Sequence, residues 1–172
     1  TRDASKHPEG YYAHVLDKGW HVGPVGAEDL GHRKSDDWGG PSWAKTVILA
    51  TDRSAAALKS AMLARRFYAV RNRDIRLDLH VAGEMMGARL SAPAGAALPI
   101  EASATWPGHP GLTLQLVTSK GSVVATGTNA LSTAHLAASK ERYYFLRVLD
   151  GSAYVGYSAP VWVAAAAGGH LG

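Results

Sequence analysis

The stretch "DIRLDLHVAG", residues 74–83, decides the fold, because its pattern differs from that of the chain before it. From Ile75 to Val81 every second residue is apolar, and the residues between them are polar or charged. A period of two is typical of a β-strand that buries one face and exposes the other. Residue 73 is therefore the expected boundary between two kinds of structure.

After this boundary the sequence predicts short antiparallel strands. "LTLQLVTSKGSVVATG", residues 112–127, alternates in the same way, and Lys120–Gly121 suits the turn of a hairpin. Up to residue 165 we expect about seven strands separated by Gly, Pro, Ser or Asn, as in a sandwich of two sheets. We therefore predict an antiparallel, immunoglobulin-like β-sandwich over residues 74–165, followed by a flexible tail over residues 166–172.

Before the boundary the sequence predicts helix and strand in alternation. "HPEGYYAHVLDKGW", residues 7–20, has Pro8 in place for a first helical turn and Gly19 for the end of the helix. "AKTVILA", residues 44–50, is rich in apolar and β-branched residues and predicts a buried strand. Residues 1–73 are therefore interpreted as an α/β segment.

A second helix is expected directly after that strand. "TDRSAAALKSAMLARRFYAV", residues 51–70, is rich in alanine and other good helix formers. Thr51 or Asp52 can cap its N-terminus. Arg65 and Arg66 lie toward its C-terminal end, where the helix dipole favours cations.

Composition excludes several classes of function. The 172 residues are 47% hydrophobic, which is enough for an ordinary packed core. The net charge is +4, but the basic residues are scattered, so we expect no nucleic-acid partner. No apolar run approaches the roughly 20 residues that a membrane span needs, so we expect no membrane partner. The absence of cysteine excludes thiolate ligands, disulfides and a cysteine nucleophile.

The strongest chemical candidate is "PVGAEDLGHRKSDDWGGPSW", residues 24–43. Asp29 and His32 follow a short apolar stretch, and a carboxylate and an imidazole could share one hard or borderline divalent ion. The alternative is a polar turn in which the aspartate caps the backbone and the histidine is solvated. Trp38 is a candidate substrate-binding residue, and it could equally well hold the loop in place.

Three stretches resemble the C-terminal end of PHP-type (polymerase and histidinol phosphatase) metallohydrolases, and most closely the CehA/McbA-like group. They are "GWHVGPVGAEDLGHRKSDDWG", "AKTVILATDRSAAALKSAMLARRFYAVRNRDIRLDLHVAGEMMGARL" and "RYYFLRVLDGSAYVGYSAPVWV". The resemblance implies that residues 1–73 end a PHP-type β/α barrel and that the sandwich is an appended domain.

The resemblance also implies a site. In that family a Gly-x-Asp-x-His element supplies late ligands to a metal cluster, which makes Asp29 and His32 the implied metal ligands. Their spacing here is one residue longer than the family's. The implied metal is zinc, manganese or iron, and the implied reaction is hydrolysis of a phosphoester, carboxylic ester or carbamate by metal-activated water.

The family's earlier ligands, which include a His-x-His element, would lie upstream of Thr1. The chain is then expected to be a C-terminal fragment that needs the N-terminal part of the same protein. Alone it should be inactive and bind metal weakly or not at all. We also expect a second copy of the chain, or the missing part, to cover the strand in "KTVILA".

A non-enzymatic reading stays open: a β-sandwich module that binds a carbohydrate or a protein partner. Most aromatic residues are expected in the sandwich core, namely Trp106, Tyr143, Tyr144, Phe145 and Trp162. Tyr154 and Tyr157 are the expected exposed pair if a sugar platform exists. His109 and His135 are interpreted as structural residues.

Overall fold

The computed structural model describes residues 8–27 and 44–166, without the side chains of residues 8–10. In these ranges the chain forms two helices and twelve strands. In order they are α1 Pro8–Asp17, β1 Lys45–Ile48, α2 Ala55–Leu63, β2 Phe67–Val70, β3 Arg76–Val81, β4 Glu84–Met85, β5 Arg89–Ala92, β6 Ala97–Thr105, β7 Thr113–Thr118, β8 Ser122–Thr128, β9 Ala130–Leu136, β10 Arg142–Asp150, β11 Ala153–Ser158 and β12 Val161–Ala165.

Nearly all strand pairs are antiparallel, and their order is β1-β2-β11-β10-β7-β8-β9-β6-β3-β4. β8 and β9 share the single pair Thr128–Ala130, so the ladder turns a corner there and forms two layers. Buried residues of β3 and β6 from one layer pack with those of β7 and β10 from the other in one core. This mostly antiparallel architecture is compatible with the predicted β-sandwich.

Strand β12 pairs with two neighbours. It runs antiparallel to β10 and parallel to β5, and Trp162 is aligned with both Tyr143 and Arg89. Pro160 interrupts "SAYVGYSAPVWV", which therefore forms the two strands β11 and β12 rather than one. A proline has no backbone N–H to donate to a ladder, so the chain changes partners at this residue.

The strands before residue 73 join the same sheet. β2 pairs with β11, with Val70 opposite Gly156, and β1 pairs with β2 at the end of the strand order. Tyr68 and Val70 are buried in the main core. Strand pairing thus continues across the boundary expected at residue 73, and the barrel segment itself stays a prediction.

The prediction of one helix over residues 51–70 is wrong at both ends. Ser54 is the N-cap, since its hydroxyl accepts from the Ala57 N–H at 3.1 Å, whereas Asp52 accepts from the Ser54 N–H at 2.7 Å. Residues 67–70 form β2 because their aromatic and β-branched side chains fill the sandwich core, which outweighs helix propensity.

Other local predictions are confirmed. α1 covers Pro8–Asp17, and Gly19 after it has φ +84°. β7 and β8 form the predicted hairpin, with Lys120 and Gly121 both at positive φ.

After residue 73 there are ten strands rather than about seven, partly because β4 and β5 were not expected. Of the expected tail, Ala166 is described, and its N–H donates to the Ala92 carbonyl at 2.9 Å.

α1 packs on the outer face of the β10 layer. Tyr143 and Phe145 of β10 contact Leu16 there in a second apolar cluster, while the alternate residues Tyr144 and Leu146 point into the main core. β10 is therefore buried on both faces, which explains why "RYYFLRV" is almost continuously apolar.

Candidate functional site

The three residues predicted to form the site lie outside the described part of the chain. Asp29, His32 and Trp38 all fall between Ala27 and Ala44, where the description stops and resumes. The chain on either side of this gap is described. Gly26 on one side and Ala44 on the other both line one groove.

The groove has a volume of about 390 Å³ and a mainly apolar lining. Its floor is the pairing of β2 with β11, where Ala69 lies opposite Tyr157. Tyr12 of α1 forms one wall, and Val25 together with Ala44 forms another. Clefts of this size and character are typical of small-molecule sites.

Two tyrosines of β11 dominate the groove. The rings of Tyr154 and Tyr157 stack with centroids 6.4 Å apart and planes inclined by 29°. The guanidinium of Arg147 lies 5.4 Å from the centre of the Tyr154 ring, and its Nε donates to Gln115 Oε1 at 2.8 Å. The stack is thus held from one side by an anchored cation.

A β-bulge brings the two tyrosines to the same side of the strand. Residues three apart on a regular strand point to opposite faces. The register of β10 with β11 shifts here, since Val148 is opposite Gly156 but Leu149 is opposite Tyr154. Val155 is therefore the extra residue of a bulge, which turns Tyr154 into line with Tyr157.

Tyr12 is fixed in the groove wall as a neutral phenol. Its ring contacts Phe145 with centroids 5.0 Å apart, and its hydroxyl donates to the Ser158 carbonyl at 3.4 Å. Burial, and to a smaller extent the neighbouring phenol of Tyr143, raises the pKa of Tyr12 well above its usual value. It can therefore donate a hydrogen bond but cannot act as a base near neutral pH.

Asp17 holds α1, and with it Tyr12, against the sheet. Its carboxylate accepts from the Lys120 N–H at 3.0 and 3.1 Å and from the Tyr143 hydroxyl at 2.9 Å. Burial and then the Asp17 charge raise the pKa of Tyr143, so the phenol keeps its proton. The last turn of α1 is thus tied to the β7–β8 turn and to β10.

Among the described residues that line the groove, Arg71 supplies a positive charge. Arg71 follows β2, lines the groove and is exposed, and its backbone N–H donates to the Val155 carbonyl at 3.0 Å. The groove therefore offers aromatic and aliphatic surface to a flat ligand, with a guanidinium beside it.

Within residues 8–27 and 44–166, no group of three histidine, aspartate or glutamate side chains is arranged to hold a metal ion. Some histidines there pair with a single carboxylate, as His21 does with Glu141 at 2.8 Å and His80 with Asp78 at 3.3 Å. A pair offers two donors, fewer than the three or four protein ligands of a typical metal site.

The histidines interpreted as structural have structural partners. His109 stacks on Trp106 with centroids 3.5 Å apart, and its Nδ1 is 2.7 Å from Asp150 Oδ2. His135 Nδ1 is 2.7 Å from the hydroxyl of buried Tyr144. The predicted core aromatics are buried, except for half-buried Trp106, and the buried ones are Tyr143, Tyr144, Phe145 and Trp162.

The sequence indicated the tyrosine pair but not the groove. Tyr154 and Tyr157, the expected exposed pair, are half-buried, whereas Tyr12 and Ala69 reach the same place only through tertiary packing. None of the helices in the described ranges has the length and apolar character needed to cross a membrane.

Comparison with protein-family models, with curated proteins and with solved structures finds no match to this chain.

Proposed function

We propose that this chain is the C-terminal part of a PHP-type metal-dependent hydrolase and that its tyrosine-lined groove receives the substrate. One observation carries the proposal: the chain on both sides of the segment with Asp29 and His32 lies on the rim of that groove. Both described ends of that segment are thus at the groove, which is why we propose the groove as the place where Asp29 and His32 meet the substrate. The resemblance described above supplies the reaction class.

Asp29 is proposed as a metal ligand, and His32 as a second ligand or as a residue that orients one. One carboxylate oxygen and one imidazole nitrogen suit zinc, manganese or iron. When bound, such an ion lowers the pKa of a coordinated water and polarises the bond to be hydrolysed. Since two donors are too few, the remaining ligands are expected from upstream sequence, and this chain alone should be inactive.

The groove would bind the apolar part of an ester. Tyr154 and Tyr157 present a stacked aromatic surface, and Tyr12, whose hydroxyl donates to the Ser158 carbonyl, lines one wall beside them. Excluding water from this surface would hold the ester in one orientation relative to the metal. The proposed substrates are small phosphoesters, carboxylic esters or carbamates with a flat apolar group.

The test uses a polypeptide that carries the upstream sequence together with this chain. Metal content and turnover of an aryl phosphoester and an aryl ester are measured for the parent protein and for Asp29→Asn. The substitution keeps the shape but removes the charge, so both quantities should fall at least about tenfold, since even residues behind the ligands contribute that much. Asp74→Asn, in a turn far along the chain, is the matched control.

His32→Ala is measured in the same way. It should reduce metal content only if the longer Asp-to-His spacing still lets the imidazole reach the ion. Asp29→Asn with unchanged metal content and unchanged rates would end the proposal.

A second function is favoured by the Tyr154–Tyr157 stack alone: binding of a carbohydrate ring without catalysis. Sugar rings pack on exposed aromatic faces in many binding modules. Tyr157→Ala would then abolish binding of a soluble oligosaccharide, and Asp29→Asn would leave it unchanged. The opposite pattern, with ester hydrolysis lost in Asp29→Asn, would favour the hydrolase.

A partner is proposed at β1, which stands at the end of the strand order. Met62 and Leu63 of the adjoining α2 are 54% and 69% exposed. Strand edges and exposed apolar surface favour association. We expect the missing N-terminal part, or a second copy of the chain, to cover this region, and sedimentation of the chain over a range of concentrations should reveal self-association.

A further inference from the structure

A second cleft lies where the end of α2 meets the turn between β4 and β5. It has a volume of about 200 Å³ and shares no lining residue with the tyrosine-lined groove. Three arginines line it: Arg65, Arg66 and Arg89. We call it the arginine pocket.

Close backbone contact fixes the walls of the arginine pocket. Gly87 has φ +91°, and a Cβ built on it would lie 2.3 Å from the Ala64 carbonyl oxygen. The Gly87 N–H also donates to the Pro160 carbonyl at 2.8 Å. The two sides of the pocket therefore cannot move apart without breaking this contact.

Arg65 occupies a conformation that the chain would ordinarily give to glycine. Its φ is +56°, directly after the helix end, where glycine is the usual residue. Three contacts hold its side chain. Nε donates to the Gly87 carbonyl at 3.3 Å and Nη1 to the Leu63 carbonyl at 3.4 Å, and the guanidinium lies 5.3 Å from the centre of the buried Trp162 ring. Residues held in such sparsely populated backbone conformations are often found at ligand-binding sites.

Arg65 and Arg89, which both line the pocket, repel each other electrostatically. Partial burial, and then the charge of Arg89, lowers the pKa of Arg65. Glu84 also lines the pocket. Glu141 lies at its edge, with Oε2 3.9 Å from Arg89 Nη2. The same carboxylate is closer to a histidine, since its Oε1 is 2.8 Å from His21 Nε2. Three cations thus face one carboxylate inside the pocket and a second, shared one at its edge.

We propose that the arginine pocket binds the phosphoryl group of a phosphate or phosphomonoester. Guanidinium groups present pairs of parallel N–H donors that match phosphate oxygens, and several can surround one tetrahedral dianion. The volume fits one such group, whereas drug-sized ligands occupy about 300–1,000 Å³. A bound dianion would also remove the mutual repulsion of Arg65 and Arg89.

The binding is measured by calorimetric titration of this chain with inorganic phosphate at constant ionic strength. Arg66→Gln and Arg89→Gln should each weaken binding at least tenfold, and Arg73→Gln, which lines neither cleft, should change it less than twofold. Glu84→Gln removes the carboxylate of the pocket and should strengthen binding several-fold. This gain cannot come from a damaged fold.

Glycerol phosphate forms the second arm of the experiment. Equal affinity for the two ligands assigns the pocket to the phosphoryl group itself, and tighter binding of the ester assigns it to a phosphomonoester. Absence of phosphate binding, or equal weakening by Arg73→Gln and Arg89→Gln, would overturn the proposal. Because the readout is binding to described residues, it is independent of Asp29 and of the proposed hydrolase.

Discussion

The unusual backbone of Arg65 allows its strain to be separated from its side-chain contacts. We expect Arg65→Gly to be more stable than Arg65→Ala, although alanine is ordinarily the stabilising choice near a helix. Both substitutions remove the contact with Trp162 and the hydrogen bonds to the Gly87 and Leu63 carbonyls. Only glycine relieves the φ of +56°.

The size of the difference follows from two opposing effects. A non-glycine residue in the left-handed region costs about 1–2 kcal/mol. A glycine variant is in turn destabilised by about 0.4–1 kcal/mol relative to alanine, because glycine raises the conformational entropy of the unfolded chain. The net advantage of Arg65→Gly over Arg65→Ala is therefore about 1 kcal/mol, which corresponds to roughly 2–4 °C in Tm for a chain of this size.

The lost contacts determine how much less stable both variants are than the parent protein. The cation–π contact is worth about 0.5–1 kcal/mol, and the long hydrogen bond from Nε is worth about as much. Arg65→Ala should then be less stable than the parent by about 1–2 kcal/mol, and Arg65→Gly by about 0–1 kcal/mol.

The assay is urea unfolding followed by tryptophan fluorescence. Ala82→Gly is the control, because Ala82 has φ +50° and is exposed, so that the substitution changes the backbone with little loss of contacts. It should stabilise the protein by about the same 1 kcal/mol. An Arg65→Ala variant as stable as Arg65→Gly would refute the argument that this residue is strained.

Three further predictions concern packing, pH and the groove. In thermal unfolding, Gly87→Ala should destabilise the protein by more than about 3 kcal/mol, because the new Cβ meets the Ala64 carbonyl. Gly83→Ala is the control: its Cβ has open space around it, so the substitution should cost only about 1 kcal/mol. Because folding raises the pKa of Tyr143, the stabilisation from its protonated phenol should be fully present below about pH 10 and should be lost progressively above it. In urea unfolding at pH 8–11, Tyr143→Phe should reduce this loss of stability by at most about 1.4 kcal/mol per pH unit. Tyr157→Ala should weaken binding of an aryl ester to the upstream-extended protein at least tenfold in a fluorescence titration, and Tyr11→Ala, on an exposed ring outside the groove, should not.

Local pattern was sufficient for much of the sandwich. The alternation from Ile75 to Val81 and the turn at Lys120–Gly121 are confirmed, since neighbouring residues decide both. The pairing of β5 with β12 could not be predicted in this way, because it joins residues 89–92 to residues 162–165 through packing alone. For the same reason "FYAV" reads as helix in isolation and forms a strand in the core.

In the candidate sites too, some features could be predicted from local sequence and others depend on tertiary packing. The tyrosine pair could be identified from one strand, but the bulge at Val155 that aligns its rings depends on the register with β10. Arg65 and Arg66 were interpreted as ordinary cations near a helix end. Their meeting with Arg89 depends on the close contact at Gly87, which no local pattern reveals.

The late positions of β11 and β12 have a consequence for synthesis of the protein on the ribosome. β2 can pair early with β1, but its other edge is covered only by β11, and β5 pairs with β12, so both strands wait for residues near 160 to complete their pairing. At about 5–20 residues per second, Val70 is made about 4–17 s before Gly156. During this interval one edge of β2 and the whole of β5 have no partner strand in the nascent chain, so the sheet can be completed only after β11 and β12 have been made.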